Sequence, residues 1–433
     1  MVFLPILLGI LLLILLVTVV KLDAFISFML VCLFVGLLGG LSISDTVAAI
    51  QSGIGKTLGS LVMVLGFGAM LGKLVAESGA ANQITNSLVA KFGLKNIQIA
   101  LIITGFIVGI PMFYTVGFVI LVPLVIAIAA RTGLPLLYVG LPMLASLSVT
   151  HGFLPPHPAP TAIAEMYSAD LGLTLIYGII AGIPAILAAK FLLRGTMQRI
   201  RPTPLQEYVV DAPQTGNVPS LATSLIVALL PVLLIGGSSV LKSMLGPSGL
   251  LEALGNPALA MLLTVLVAIY FLGTRTGKTV KEVMKTISSA VAGVAGVLLI
   301  IAGAGSFKEI MIATEISEEI GALLSGLGMS PLVLAWLIAA IIRVSVGSAT
   351  VAALTAAGIM LPTAASGAVA PELLVLATGA GSITFSHVND GGFWLFKEYF
   401  NVSIKETLLS WTLMETTVSV VGLLMVLLIN FFT

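Results

Sequence analysis

The sequence predicts an all-α polytopic membrane protein: two inverted-topology repeats with broken helices and re-entrant hairpins. Three observations predict it. The 433 residues are 59% hydrophobic and 9% charged, with mean hydropathy +1.20. A soluble domain usually carries about 25% charged residues, so this chain cannot cover a water-facing surface and suits helices in lipid. Apolar runs recur along the whole length, several interrupted by glycine and proline. The order of features in the first half returns in the second.

The runs lie at roughly 2–20, 24–41, 57–76, 97–130, 134–150, 172–193, 222–241, 258–273, 287–304, 331–361, 371–386 and 408–431. The first, from Val2, lacks a basic leader and a small-residue cleavage site and reads as an uncleaved span. Several fall short of the ~20 residues a straight span needs. Others are long and interrupted, such as Thr104–Gly117, which holds Gly105, Gly109 and Pro111. That pattern suits discontinuous helices, which expose backbone polar groups to a cavity. The expectation is about 10–14 passes plus two re-entrant hairpins.

Charge sets the orientation. Lys190, Arg194, Arg199 and Arg201 crowd one loop, and Arg275, Lys278, Lys281 and Lys285 another. Both should be cytoplasmic. The polar, proline-bearing stretch after Arg201 reads as a cytoplasmic linker, and the 151–171 loop then falls outside. The division expected is 1–56 for N-terminal spans and 57–200 for a first repeat. A linker at 201–221, connecting spans at 222–286 and a second repeat at 287–433 complete it.

The repeats rest on matched order. Gly66-Phe67-Gly68 and Gly303-Ala304-Gly305 open similar segments, the second passing Glu315, Glu318 and Glu319. A glycine-rich broken segment follows in each half, ending at Pro123 and Pro362. Leu144–His151 then parallels Leu376–His387, and Met166-Tyr167 parallels Glu398-Tyr399. An odd number of passes per half would invert the repeats and place the substrate where they meet.

Arg343 sits inside the apolar run that starts at Pro331. A guanidinium cannot shed its charge, and its burial in lipid is costly. It needs a carboxylate, carbonyls, water or an anionic ligand. Ser345, Gly347, Ser348, Thr350 and Thr355 follow it, small or hydroxylated residues that suit a polar cavity. Two further segments are polar. Thr150-His151 leads into Pro155, Pro156, His157, Pro158 and Pro160, whose prolines forbid a continuous helix and predict extended or turned backbone. Gly379–Tyr399 gathers Ser382, Thr384, Ser386, His387, Asn389 and Asp390 after an apolar run.

These segments resemble the gluconate permease (GntP) family. The resemblance rests on Ser386-His387-Val388-Asn389-Asp390-Gly391-Gly392-Phe393-Trp394 with Lys397-Glu398-Tyr399, on His151 to Pro160, and on Arg343 to Thr350. It covers the whole chain. It implies a bacterial inner-membrane symporter that takes up gluconate or a related sugar acid with protons, on a fold of inverted repeats and re-entrant hairpins. It leaves D-serine and other hydroxy acids open as substrates.

The candidate substrate-binding residues are Arg343, Ser345, Ser348, Thr350, Thr115, Thr150, His151, Ser386, His387, Asn389 and Asp390. Glu415, inside the last apolar run, and Asp390 are the proton-coupling candidates. Burial disfavours a charged carboxylate, so such a group can take up a proton. Each has a structural alternative. Arg343 could simply pair with Asp390 or Glu415, Asp390 could cap a helix before Phe393, and the three histidines could be hydrogen-bonding core residues. Lys397-Glu398 reads as an interfacial pair, and Glu77 with the Glu315 cluster as solvated hairpin ends.

Other classes fit worse. One cysteine, Cys32, excludes a disulfide framework and a Cys-cluster metal site, and three histidines argue against haem or a multi-His centre. No cofactor is called for, and no enzyme motif stands. Gly53-Ile54-Gly55-Lys56-Thr57 mimics a phosphate loop, but its first glycine is at the wrong spacing and no strand precedes it. A net charge of +1 points away from nucleic acid. The partners expected are a small anionic substrate, protons and the lipid bilayer, with a homodimer as the oligomer to test. Sodium coupling is the nearest rival, since hydroxyls and carbonyls hold Na⁺ equally well.

Overall fold

The structure, a computed structural model, describes residues 3–203, 218–246, 248–314, 328–387 and 390–433, and every regular element among them is helical. We number the helices of nine residues or more. The first part comprises α1 (Phe3–Ile14), α2 (Ala24–Leu38), α3 (Ile43–Glu77), α4 (Ala80–Phe92) and α5 (Ile97–Gly109). It continues with α6 (Tyr114–Thr132), α7 (Leu136–Phe153), α8 (Pro158–Tyr167) and α9 (Leu171–Leu192). Two connecting helices follow, α10 (Leu221–Leu245) and α11 (Pro257–Ala268). The second part comprises α12 (Val280–Ala313), α13 (Pro331–Val346), α14 (Ala349–Ile359), α15 (Pro371–Ser382), α16 (Gly391–Tyr399) and α17 (Leu413–Phe432). Glu315, Glu318 and Glu319 lie outside the described residues.

Local chemistry fixes where these helices start. Pro158, Pro257, Pro331 and Pro371 occupy first-turn positions, where the missing N–H would lack an intrahelical partner anyway. Ser42, Asp170, Thr279, Ser348 and Asp390 cap α3, α9, α12, α14 and α16 by accepting backbone N–H bonds. Each cap contributes about 1 kcal/mol.

The long helices α3 and α12 run antiparallel. Lys278 Nζ and Thr286 Oγ1, near the start of α12, donate to Glu77 at the end of α3. Ser306 Oγ and Glu309, near the end of α12, bond Ile50 O and Lys56 near the start of α3. A Cβ on Gly53 would meet Gly305 O, and one on Gly305 would meet Gly53 O. Ala69 packs on Ala290 at the other end. Corresponding helices that cross head to tail with reciprocal contacts are what a two-fold axis between inverted repeats produces. The lines expected at 56/57 and 286/287 both fall inside these helices.

The remaining pairs follow the same order. A break at 110–113 separates α5 from α6, and one at Gly347-Ser348 separates α13 from α14. Gly347 takes φ +79°, a left-handed value that a side chain would strain. The broken span α7–α8 corresponds to the pair α15–α16, and α9 to α17. Gly152 and Gly379 bring α7 and α15 into backbone contact.

Two expectations need correction. The prolines from Pro155 to Pro160 do not make one long extended stretch. Only residues 154–157 are non-helical, because Pro158 and Pro160 sit in the first turn of α8, where proline is tolerated. Residues 151–167 accordingly continue α7 into α8 as one buried, interrupted span rather than forming a loop. Five helices among the described residues are long and apolar enough to span by themselves, and two bent pairs raise this to seven. Ala80–Phe92 and Leu94–Gly109, for example, meet at 112°.

Candidate functional site

Where the two parts meet, a cavity of about 600 Å³ opens between them. Four helices present their N-termini to it. Phe113 and Tyr114 come from the start of α6, Pro158 from α8, Ser348, Ala349 and Thr350 from α14, and Asp390, Gly391 and Gly392 from α16. Each of these helices follows a break in the chain, at 110–113, 154–157, 347–348 and 383–390, two per repeat. An α-helix N-terminus carries about half a positive charge and unpaired N–H groups. Four of them around one chamber favour an anion.

Arg343 adds a full charge. It lies in the last turn of α13, only 4% exposed, and its Nη2 donates to Asp390 Oδ2. Its Nε and Nη1 are buried with no hydrogen-bond partner among the described residues. Such donors cost about 1–3 kcal/mol each when left unpaired. A carboxylate ligand would satisfy one of them with a charge-assisted hydrogen bond.

Asp390 is both cavity residue and helix cap. Its Oδ1 accepts from Gly392 N at 2.9 Å, and its Oδ2 accepts from Ser386 Oγ as well as from Arg343. Ser386 Oγ in turn accepts from Trp411 Nε1 at 2.7 Å. A chain of hydrogen bonds thus runs from Trp411 through Ser386 and Asp390 to Arg343. Opposite, Glu415 is 4% exposed and accepts from Ser148 Oγ of α7. That bond joins the first repeat to the second across the cavity wall. His151 completes the wall; its Nδ1 is buried without a partner among the described residues, and its ring lies 5.7 Å from that of Tyr114.

Of the residues expected from sequence, Arg343, Ser348, Thr350, His151, Asp390 and Glu415 line the cavity. Ser386 stands behind it, holding Asp390. His387 Nε2 pairs with Val344 O at 3.0 Å, bracing α13. Ser345 Oγ donates to Ile341 O and Thr150 Oγ1 to Leu147 O, each within its own helix, and neither side chain is among those lining the chamber. Asn389 and the side chain of Thr115 lie outside the described residues. Sequence reasoning missed Ser148, Tyr114 and Trp411. Spacing held a signal: Ser148 is three residues from His151, and Trp411 four from Glu415, each pair on one helix face.

The four converging N-termini, the buried arginine and the broken helices define a class: a multi-pass membrane transporter. The chain belongs to the GntP permease family, which it matches over residues 1–432. It is 46% identical to a high-affinity gluconate transporter of Escherichia coli over 428 residues, 98% of each chain. It is 46% identical to an L-idonate transporter of the same organism, covering 98% of this chain and 97% of that one. A gluconate permease of Bacillus subtilis is 43% identical, with 98% of each chain covered. In fold it is similar to the YdaH transporter of Alcanivorax borkumensis, with TM-score 0.65, 16% identity and coverage of 94% and 98%. It is likewise similar to MtrF of Neisseria gonorrhoeae, with TM-score 0.66, 15% identity and 94% coverage of both.

Proposed function

We propose that this permease imports gluconate or a closely related sugar acid together with protons across the bacterial inner membrane, by alternating access. The observation that carries the reading is Arg343, a cation that lines a chamber ringed by four helix N-termini and keeps two donors without a partner among the described residues. That chamber suits one carboxylate. The hydroxyls of Ser348 and Thr350, with His151 and Tyr114, suit a polyol tail. The relatives that transport gluconate and L-idonate agree with such a ligand. Asp390 and Glu415 supply two carboxyl groups in the same chamber that can exchange a proton, which favours protons over sodium as the coupling ion.

In this reading the two repeats rock about the shared site, with the α3–α12 pair as the frame between them. The test is uptake of radiolabelled gluconate into right-side-out vesicles under separate pH and sodium gradients. L-idonate, other sugar acids, D-serine and a neutral hexose serve as competitors. Accumulation driven by pH and blocked by sugar acids is expected. Accumulation driven only by sodium would replace the coupling ion, and equal competition by the neutral sugar would remove the anion reading.

A further inference from the structure

A second polar pocket continues the cavity along the same helix faces. Pro158 of α8 and Thr350 of α14 line the cavity, whereas Ala162 and Glu165 of α8 and Leu354 of α14 line a pocket of about 60 Å³. Residues i and i+4 share a helix face about one turn apart. The two chambers therefore lie in series along α8 and α14. Thr161 lies between Pro158 and Ala162, and Thr355 follows Leu354. Both are fully buried, and neither hydroxyl has a hydrogen-bond partner among the described residues.

The far wall of the small pocket comes from α3 and α12. Lys56 pairs with Glu309 at 2.8 Å. Lys308 Nζ donates to the carbonyl of Met166 at 3.3 Å and forms no ion pair among the described residues. The pocket has room for water but not, in this conformation, for a sugar acid. Lys308 lies far along α12 from the basic cluster at Lys278, Lys281 and Lys285. At 1.5 Å per residue the separation from Lys281 is roughly 40 Å, the thickness of a bilayer. With the basic cluster cytoplasmic, Lys308 faces the outer side.

We propose that this pocket is the outer station of the transport path, where Lys308 receives the carboxylate of an incoming hydroxylated monocarboxylate. Thr161, Thr355 and Thr350 then bond its hydroxyls as it passes to Arg343. The proposal rests on the sugar-acid reading above. Its chemistry is consistent from end to end. Lys308 donates to a carbonyl, with Glu165 and Glu309 of the same pocket near its charge, and it can exchange that carbonyl for a ligand carboxylate. Buried hydroxyls without partners cost stability in the empty protein and offer hydrogen bonds to a passing polyol.

The experiment compares Lys308→Gln and Lys308→Arg in right-side-out vesicles at sub-saturating radiolabelled gluconate. Loss of one charge-assisted hydrogen bond should slow uptake by Lys308→Gln about tenfold, while Lys308→Arg stays near the wild-type rate. Equilibrium gluconate binding to the purified variants should be unchanged, because the resting site is the central cavity. In a Cys32→Ser background, Ala162→Cys should be modified from outside by an impermeant anionic thiol reagent, and more slowly with gluconate present. Wild-type uptake by Lys308→Gln, or binding lost in parallel with uptake, overturns the role of Lys308. An Ala162→Cys that the reagent never reaches overturns the path. If the wild-type protein neither binds nor carries gluconate, the substrate reading fails, and the thiol modification still decides the path.

Discussion

Arg343 and Asp390 form an ion pair across the cavity that engages only one nitrogen of the guanidinium. Asp390 offsets the buried charge, yet Nε and Nη1 remain for another acceptor. In the proposed reading the pair is half of a binding site, which a ligand carboxylate completes or contests.

The first prediction concerns that anchor. Arg343→Lys keeps the charge but loses the planar fork that can hold Asp390 and a ligand together. The loss of one charge-assisted bond is about 1.5–3 kcal/mol, or roughly 10- to 100-fold in gluconate Kd. Calorimetry on the purified protein measures it. Wild-type affinity in Arg343→Lys would mean that the guanidinium is not the anchor.

The second concerns competition for Arg343. Ionised Asp390 and an anionic ligand draw on the same cation, so a proton on Asp390 releases Arg343 to the ligand. Asp390→Asn removes the competing charge and keeps the helix cap, since asparagine caps as well as aspartate. It should bind gluconate at least as tightly as wild type at neutral pH, measured by calorimetry on the purified protein. A weaker Asp390→Asn would exclude this competition.

How much of this was legible in the sequence follows from what each residue type can hide. A charge in an apolar run is conspicuous, so Arg343 and Glu415 stood out, as did the breaks marked by Pro111 and Gly347. The choice of partner for Arg343 was not legible. Asp390 and Glu415 lie 47 and 72 positions away, and only the fold decides which one meets it. Ser148, Tyr114 and Trp411 were overlooked because these side chains fill helix interfaces as readily as they line cavities. The prolines at 155–160 misled for a different reason: proline breaks a helix from within but starts one well.

The third prediction tests the contact between α7 and α15. A Cβ on Gly379 would collide with the carbonyl oxygen of Gly152, and one on Gly381 with that of Trp336. Neither neighbour is a flexible side-chain end. Gly379→Ala should therefore lower stability by about 1–3 kcal/mol, the usual cost of overpacking, seen as a lower thermal midpoint in detergent. Gly55→Ala, with nothing within 4 Å of the added methyl, is the control and should leave the midpoint unchanged. Equal midpoints for the two variants would mean that α7 and α15 do not meet at Gly379.

The last prediction separates binding from coupling. Import of one anion against an inside-negative potential costs about 2.3 kcal/mol per 100 mV. One accompanying proton makes the step electroneutral, and a second lets the potential assist. Arg343 cannot carry that proton because it stays charged. Glu415 can: it is buried, it lines the cavity, and Ser148 of the other repeat holds it. Glu415→Gln mimics the protonated state and keeps an acceptor for Ser148 Oγ. It should retain gluconate binding and the exchange of labelled for unlabelled gluconate across the membrane, while losing accumulation driven by a pH gradient. Ser148→Ala, which removes the donor and leaves the carboxyl, should shift the pH dependence of uptake without abolishing accumulation. Flux measurements on reconstituted vesicles distinguish the two modes. If Glu415→Gln and Asp390→Asn both accumulate gluconate normally under a pH gradient, neither carboxyl group carries the proton, and His151 becomes the next group to substitute.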